Sequence, residues 1–425
     1  MNNNNNHILS IALAFLGTLP GLYLRFAGIH LEPAMMALIS GIAILSAAFL
    51  VLWACDVAQK DVSQSLALAM VAFIAVLPEY AVDMYFTWMA GKHPESDYAH
   101  YAIANMTGAN RLLIGIGWTV IVLITWFKSR GPVFLEKERA TEFFFLAVAT
   151  IYAFVVALKS SLTWFDGIIF ISLFVWYIVI ASKRPVGECE VEGPASLICM
   201  LPPRRRKLST LVMFLYAAAV IVANAEPFSE GLVETGKMYG INEFLLVQWL
   251  APIASEAPEF IVAIMFAARG QSSMALGALI SSKVNQWTLL VGMIPGVYAL
   301  SSWQLNHPIP MSNLQMHEIL LTAAQSLLGV ALLGLFRLTI LDALILLVLF
   351  LGQFFLSPYF DGLHARGVTA VTGDVIHMVF SGLYVLLAVI FILTKPARLK
   401  GMIAGYKINV ATITHSEVDD SVGTN

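Results

Sequence analysis

The sequence predicts an all-α polytopic membrane protein, an interpretation that depends on composition, on apolar runs and on the placement of positive charge. Of its 425 residues, 59% are hydrophobic and only 12% are charged, whereas a soluble protein has about 25% charged residues. Stretches such as 8–29, 35–54 and 210–225 approach the length that a helix needs to cross a bilayer. Because lipid offers no hydrogen-bond partners, these crossings must be helical. A β-barrel would show short alternating segments instead.

Charged and turn residues divide the chain into about twelve spans. The first six are predicted near 8–29, 33–54, 65–90, 98–126, 142–158 and 163–182. The second six are predicted near 209–231, 242–268, 273–300, 316–336, 338–357 and 375–394. The start MNNNNNH lacks the positive region of a cleavable signal peptide, so we expect the first span to be retained.

The distribution of Lys and Arg predicts the orientation. With the N-terminus in the cytoplasm, 17 of the 24 Lys and Arg residues fall in cytoplasmic segments and five fall on the other side. This asymmetry follows the positive-inside rule. The other two, Arg111 and Lys283, lie inside spans. We therefore expect both termini to be cytoplasmic, and the compact loops favour a bacterial inner membrane.

A basic connection separates the two halves of the chain. Residues 183–208 contain GECEVEGP and then PPRRRK. Basic clusters beside a membrane attract anionic lipid, so one interpretation is a regulatory or lipid-contacting linker. The other is that PPRRRK only fixes the topology, and this is the interpretation that we favour.

Two similar segments lie 180 residues apart, one with Pro78-Glu79 and the other with Pro258-Glu259. In each, Pro-Glu is followed by a turn and a second helix rich in small and polar residues. The odd number of predicted spans from one copy to the other predicts that the copies run in opposite directions. Interrupted helices at matching positions of inverted repeats indicate a transport site. Proline loosens the helix around it, and an ionised carboxylate within a membrane span is costly and usually functional.

These segments resemble the two α-repeats of the sodium/calcium exchanger family, whose pattern is GTSxPE followed by GNxxGSNxxN. The resemblance implies two inverted five-helix repeats with one extra helix at each end. It predicts an extra helix in 1–31, a first repeat in 32–182, the linker in 183–208, a second repeat in 209–357, and an extra helix with a polar tail in 358–425. It also implies that Glu79 and Glu259 bind the transported ion at the membrane midplane.

Further site residues follow from the same resemblance. The stretch from Asn105 to Asn110 matches GNxxGSN, Ser282 keeps the serine position, and Gln286 replaces a ligating Asn or Asp. The family's oxygen ligands are missing at Ala75, Val76, Ala109 and Leu113, while Glu256 and Lys283 are gained. Since calcium takes six to eight oxygen ligands, the architecture is predicted more firmly than calcium chemistry.

The charged residues near the motifs have more than one interpretation. Glu256 lies on nearly the same helical face as Glu259 and is either a ligand or the partner of Lys283. Asp83 is expected to pair with Arg111. Lys283 is a fixed counter-charge, a proton carrier or a sign that transport has been lost, and we favour the counter-charge. For the neutral residues, hydrogen bonding between helices is an equally good interpretation.

The predicted function is a secondary antiporter that exchanges Ca²⁺, Na⁺ or K⁺ for Na⁺ or H⁺ by alternating access. One alternative is a membrane sensor or scaffold that no longer transports, its site closed by Lys283 and Arg111. An enzyme using paired carboxylates is disfavoured because no nucleophile–base signature accompanies them. No P-loop occurs, and we expect no cofactor. The expected partners are the cations and membrane lipid, without nucleic acid; the oligomeric state stays open.

Overall fold

Helices make up nearly all of the computed structural model, which describes residues 2–58, 60–61, 76–136, 139–159, 161–182, 193–304 and 307–403. Ten of these helices are long and apolar enough to cross a membrane. Helices of this kind satisfy the backbone hydrogen-bonding groups within each segment, as lipid requires. The prediction of an all-α polytopic membrane protein is confirmed.

The chain order of the helices follows the predicted spans. The first half contains α1 (Asn2–Ala27), α2 (Pro33–Ala58), α3 (Leu77–Lys92), α4 (Tyr98–Leu112), α5 (Thr119–Ser129), α6 (Ala140–Lys159), α7 (Trp164–Ala181) and the short α8 (Ala195–Cys199). The second half contains α9 (Pro203–Tyr239), α10 (Glu243–Ala268), α11 (Ser272–Asn285), α12 (Val291–Ser302), α13 (Asn313–Leu333), α14 (Ile340–Ala365) and α15 (Gly373–Thr394). A π-helical turn, π1 (Leu113–Trp118), joins α4 to α5, and a second, π2 (Gln286–Leu290), joins α11 to α12.

Two of the twelve predicted spans are not among the ten helices. The span predicted at 65–90 lies partly outside the described residues, and α3 has only 16 residues. The span predicted at 273–300 corresponds to α11, π2 and α12, which run on without a break. This segment has the length to cross, but its polar centre, SSKVNQ, lowers its hydropathy.

The described residues form two compact units. Unit 1 comprises Met1–Asn105 and Ala181–Pro258, and unit 2 comprises Met106–Ile180 and Glu259–Asn425. In unit 1, α2 packs along α9, and small buried residues such as Ala43, Ala47 and Ala217 line their contact. In unit 2, α13 packs against α6 and α15, and α14 packs against π1. The predicted domain boundaries, which follow the sequence repeats, stay a prediction.

Large apolar side chains are exposed along the outer faces of the helices. Examples are Leu13, Phe26, Val348, Phe355 and Leu393, each more than half exposed. In water such a surface would be costly, since burying apolar area contributes about 25 cal/mol per Å². These faces therefore suit contact with lipid.

The basic end of the predicted linker is helical. Arg204, Arg205, Arg206 and Lys207 lie in the first turns of α9, which begins at Pro203, where a proline is well suited to start a helix. Arg206 donates from Nε and Nη2 to the two carboxylate oxygens of Asp61, at 2.7 and 2.6 Å. The hydrogen bonds from Arg206 lower the pKa of Asp61 below its usual value. Residues 183–192 of the linker lie outside the described residues.

We expect Gly231→Ala to destabilise the protein by about 1–3 kcal/mol, the usual cost of overpacking. A Cβ at Gly231 would lie 2.8 Å from the backbone nitrogen of Ala37 and 2.9 Å from the carbonyl oxygen of Pro33. Both atoms belong to the backbone of α2, so neither can move aside as a side chain would. Thermal unfolding in detergent measures the effect.

The matched control is Gly382→Ala in α15, where a Cβ would have no heavy atom within 4 Å. This variant is expected to unfold at the wild-type temperature or slightly above it, because Ala favours helices over Gly by about 1 kcal/mol. Equal stability of the Gly231 and Gly382 variants would contradict the close packing of α2 on α9.

Candidate functional site

Glu79 lies at the start of α3 in unit 1. It is in the first turn of the helix, follows Pro78 and is 1% exposed. Proline is tolerated in the first turn because the N–H that it lacks has no helical acceptor there. The N-terminal end of a helix also carries partial positive charge, which favours a carboxylate. The predicted interruption of a longer span at Pro78 concerns residues 62–75, which lie outside the described residues.

Asp83 and Asn105 contact each other within unit 1. Both are fully buried, and Asn105 donates from Nδ2 to Oδ1 of Asp83 at 3.2 Å. Asp83 is one turn after Glu79 on α3. The other oxygen of each side chain, Asp83 Oδ2 and Asn105 Oδ1, accepts no hydrogen bond from the described residues. Asn105 therefore has a structural partner while keeping an oxygen for a cation.

Glu256 lies on α10 between two prolines and is 1% exposed. The helix continues through both Pro252 and Pro258, so the predicted loosening does not end it. Each proline removes the N–H that would bond to the carbonyl four residues before it, which weakens the ladder on both sides of Glu256. The hydroxyl of Ser255 donates back to the carbonyl of Ala251 at 3.2 Å.

Lys283 binds Asn110 inside unit 2. Its Nζ donates to the backbone carbonyl and to Oδ1 of Asn110, both at 3.0 Å. Both residues are fully buried, and Nζ also lies 4.9 Å from the ring centroid of Trp287. A buried ammonium needs such acceptors, because an isolated charge is very costly in an apolar interior. In this arrangement two oxygens of Asn110 accept hydrogen bonds from Lys283.

The two π-helical turns occupy equivalent places in the repeats. Asn110 and Lys283 hold matching positions in the motif pattern, and π1 and π2 each begin three residues later, at Leu113 and Gln286. A π-helical turn widens the helix and is frequent at functional sites. The carbonyl of Asn110, three residues before π1, accepts a hydrogen bond from Lys283.

Arg111 forms a buried ion pair with Glu318 of α13, a residue that the sequence analysis missed. Arg111 is 1% exposed and Glu318 is not exposed. Gln325, two turns after Glu318, donates to the carbonyl of Arg111 at 3.1 Å, and Gln353 of α14 donates to Gln325 at 3.3 Å. Glu318 is the one acidic residue in the sequence of α13. Because an ionisable residue within a membrane span is costly and usually functional, its position in the sequence could have indicated a role.

The other predicted residues are placed as follows. Glu259 and Ser282 are partly buried in unit 2, and Gln286 is fully buried there as the first residue of π2. The expected pairing of Asp83 with Arg111 joins residues of different units and stays a prediction. So do the ion-binding roles of Glu79, Glu259, Glu256, Asn105, Asn110, Ser282 and Gln286.

A family comparison now identifies the architecture. The model of the family described as sodium/calcium exchanger protein matches residues 32–183 and 209–357. The chain belongs to this family. The resemblance predicted from the sequence is therefore confirmed. The protein, called the exchanger below, is a membrane cation antiporter.

Individual relatives agree with this assignment. The H⁺/Ca²⁺ exchanger CAX has a crystal structure, and its sequence is 40% identical to that of this chain. The match covers 96% of this chain and 99% of the CAX chain, with a TM-score of 0.88. An antiporter named CaxA from Alkalimonas amylolytica is 23% identical over 207 residues, which span 46% of this chain and 61% of CaxA. The structure of native YfkE, 16% identical, covers 81% of this chain and 99% of its own with a TM-score of 0.60, and it shows the fold alone.

The polar side chains near the first motif include several oxygen donors. Among the described residues, no three His, Cys, Asp or Glu side chains cluster as a metal site. A cation in passage can instead use a few carboxylates together with amide, hydroxyl and carbonyl oxygens. Glu79, Asp83 and Asn105 of unit 1 offer oxygens of these kinds.

We expect Asn110→Leu to destabilise the exchanger by about 1.5–3 kcal/mol, the range for a hydrogen bond to a charged group. The substitution keeps the volume but removes the Oδ1 acceptor of Lys283. Lys283→Met in the Asn110→Leu background should recover part of the loss. Thermal unfolding of the wild type, both single variants and the double variant gives the coupling energy. Strictly additive effects would contradict the Lys283–Asn110 interaction.

Proposed function

We propose that the exchanger moves Ca²⁺ across the membrane in exchange for protons. The observation that carries this proposal is the 40% identity to the H⁺/Ca²⁺ exchanger CAX, over 96% of this chain and with a TM-score of 0.88. An identity of this size over nearly the whole chain includes both repeats and both extra helices. We further propose that transport proceeds by alternating access, in the inner membrane of a bacterium and with both termini cytoplasmic.

Glu79 and Glu259 are the proposed carboxylate ligands. Both follow a proline in equivalent motif positions, and Glu79 is buried at the N-terminal end of its helix. A carboxylate can hold either a cation or a proton, which is the property that exchange of Ca²⁺ for H⁺ requires. The proposed neutral ligands are Asn105, whose Oδ1 stays available, together with Ser282 and Gln286. Glu256 is proposed as a third carboxylate at the site.

The contacts of Lys283 favour protons over sodium as the driving ion. Its ammonium donates to two oxygens of Asn110, so a permanent positive charge occupies a place that a Na⁺ ion could take. Exchange for Na⁺ would require oxygens that bind this ion. Protons need only titratable groups, which the buried carboxylates provide. Lys283 is thus the proposed counter-charge.

The second candidate is a membrane sensor that no longer transports. The observation in its favour is that two buried cations near the motifs are already occupied, Lys283 by Asn110 and Arg111 by Glu318. In this case the cations would hold the protein in one conformation. Flux measurements separate the two candidates.

We expect proteoliposomes with the exchanger to take up ⁴⁵Ca²⁺ when a pH gradient is imposed, and little when a Na⁺ or K⁺ gradient is imposed alone. Glu79→Gln and Glu259→Gln should each lower the initial rate at least about 100-fold, since each removes a charged ligand of the transported ion. The matched control is Glu95→Gln, because Glu95 is exposed in the turn after α3. It should transport as the wild type does.

Two outcomes would contradict the proposal. Flux that follows the Na⁺ gradient and ignores pH would make the chain a sodium-driven exchanger in spite of Lys283. No flux of any ion from folded, inserted protein would favour the sensor. Calcium binding measured on the same preparations, by isothermal titration, would then establish whether Glu79 and Glu259 still bind the ion.

A further inference from the structure

Two histidine–carboxylate contacts join α13 to α15, the extra helix at the C-terminal end. His317 of α13 lies against Asp374 of α15, and His377 of α15 lies against Glu318 of α13, with Nδ1 and Oε1 3.2 Å apart. Each helix thus supplies one histidine and one carboxylate. The contacts are neighbours, since His317 and Glu318 are adjacent and Asp374 and His377 are three residues apart on one helical face.

The two contacts differ in their access to solvent. The side chains of His317 and Asp374 are 21% and 35% exposed, whereas those of His377 and Glu318 are 9% and 0% exposed. The four groups therefore lead from the protein surface to a buried carboxylate. Histidine is the side chain best suited to take up and release protons near neutral pH.

The charges around His377 come from four helices. Glu318 of α13 contacts it. The charges of Arg111 on α4, of Asp374 one turn earlier on α15, and of Asp361 on α14 also act on it. Asp361 accepts a hydrogen bond from the backbone N–H of Gly373 at 2.7 Å, at the start of α15. The charges of Arg111 and Glu318 cancel each other. One proton on His377 therefore changes the net charge of the three buried side chains from zero to +1.

This cluster is connected to the motif through Arg111. Glu318 holds the side chain of Arg111, and Gln325 on the same helix holds its carbonyl. Arg111 directly follows Asn110, whose two oxygens bind Lys283. A change in the charge on Glu318 or His377 therefore acts on the segment that begins π1.

We infer that Glu318 and His377 form a second proton-binding site, linked through Arg111 to the motif helix, which tunes transport to pH. The inference rests on the proposed exchange function, and it assigns a role to the extra C-terminal helix. When His377 takes up a proton, Glu318 lies between two cations and holds Arg111 less strongly. The Asn110–Arg111 segment is then freer to rearrange. Glu318 and His377 are positioning residues, since neither is placed in the cation site.

We expect His377→Gln to change the pH dependence of Ca²⁺ flux without abolishing flux. In proteoliposomes, the midpoint of the rate against pH should move by about one pH unit, a typical size for the effect of one charged neighbour. The rate at pH 8 should stay at the wild-type value, because His377 of the wild type is neutral there, as the glutamine of the variant is. The matched control is His364→Gln, an exposed histidine at the end of α14, which should keep the wild-type profile.

A second measurement tests the site without transport. Histidine side-chain NMR on the full chain in nanodiscs, with the His377 signal assigned by its loss in His377→Gln, should show that this signal titrates as the pH is varied. The midpoint should differ in Glu318→Gln, whose folding is checked by thermal unfolding. Should Glu318→Gln fail to fold, Glu318→Asp, which keeps the charge, replaces it and should retain the titration.

The outcomes separate this inference from the proposed function. Loss of flux in Glu79→Gln together with a wild-type pH profile in His377→Gln would overturn the inference and leave the exchange function intact. A His377 signal that does not titrate would overturn it in any case. A titrating His377 in a protein without Ca²⁺ flux would support the proton site and reject the exchange function.

Discussion

The hydrogen bonds from the ammonium of Lys283 to Asn110 are the interaction on which the centre of unit 2 depends. A charge in an apolar interior must find acceptors, but a regular α-helix uses its own carbonyls four residues along the chain. The π-helical turn that begins at Leu113 changes this pattern, and the carbonyl of Asn110 accepts from Lys283. The π-helical turn π1 thus begins three residues after the residue that binds the buried Lys283.

Glycine residues allow close packing between π1 and its neighbouring helices, α13 and α14. Gly115 lies so close to Phe350 of α14 that a Cβ would come within 2.4 Å of the ring, and a Cβ at Gly329 of α13 would lie 3.2 Å from Trp118. Small residues at such positions allow helices to approach closely in membranes. The close approach brings Gln325 within hydrogen-bonding distance of the carbonyl of Arg111. Apolar packing and polar contacts therefore fix the same segment.

The departures of this chain from the family pattern form a consistent set. The first repeat lacks ligating oxygens at Ala109 and Leu113. In the second repeat Lys283 stands at the position of Asn110, and Gln286 stands at the position of Leu113. In the structure, Lys283 uses the oxygens of Asn110, and Leu113 and Gln286 each open a π-helical turn. The proposed role of Lys283 as a counter-charge agrees with this loss of neutral oxygens. The acidic residues Glu79 and Glu259, which the proposed chemistry needs, are kept.

The sequence by itself determined the membrane class, most of the spans and the two motif regions. Whether a segment enters lipid depends on the summed transfer energy of its own residues, so 98–126 and 142–158 could be predicted from composition alone. The same reasoning predicted a span at 273–300. This segment, which comprises α11, π2 and α12, is not among the ten helices that are long and apolar enough to cross a membrane.

Only the tertiary structure decided which buried charges meet. The pairing of Arg111 with Glu318, 207 residues along the chain, was not predicted, nor was the contact of Glu318 with His377. The π-helical turns and the hydrogen bond from Gln325 were likewise absent from the sequence analysis. A residue's tendency to lie in a helix is local, whereas its ion-pair partner depends on how distant helices pack and rotate against each other.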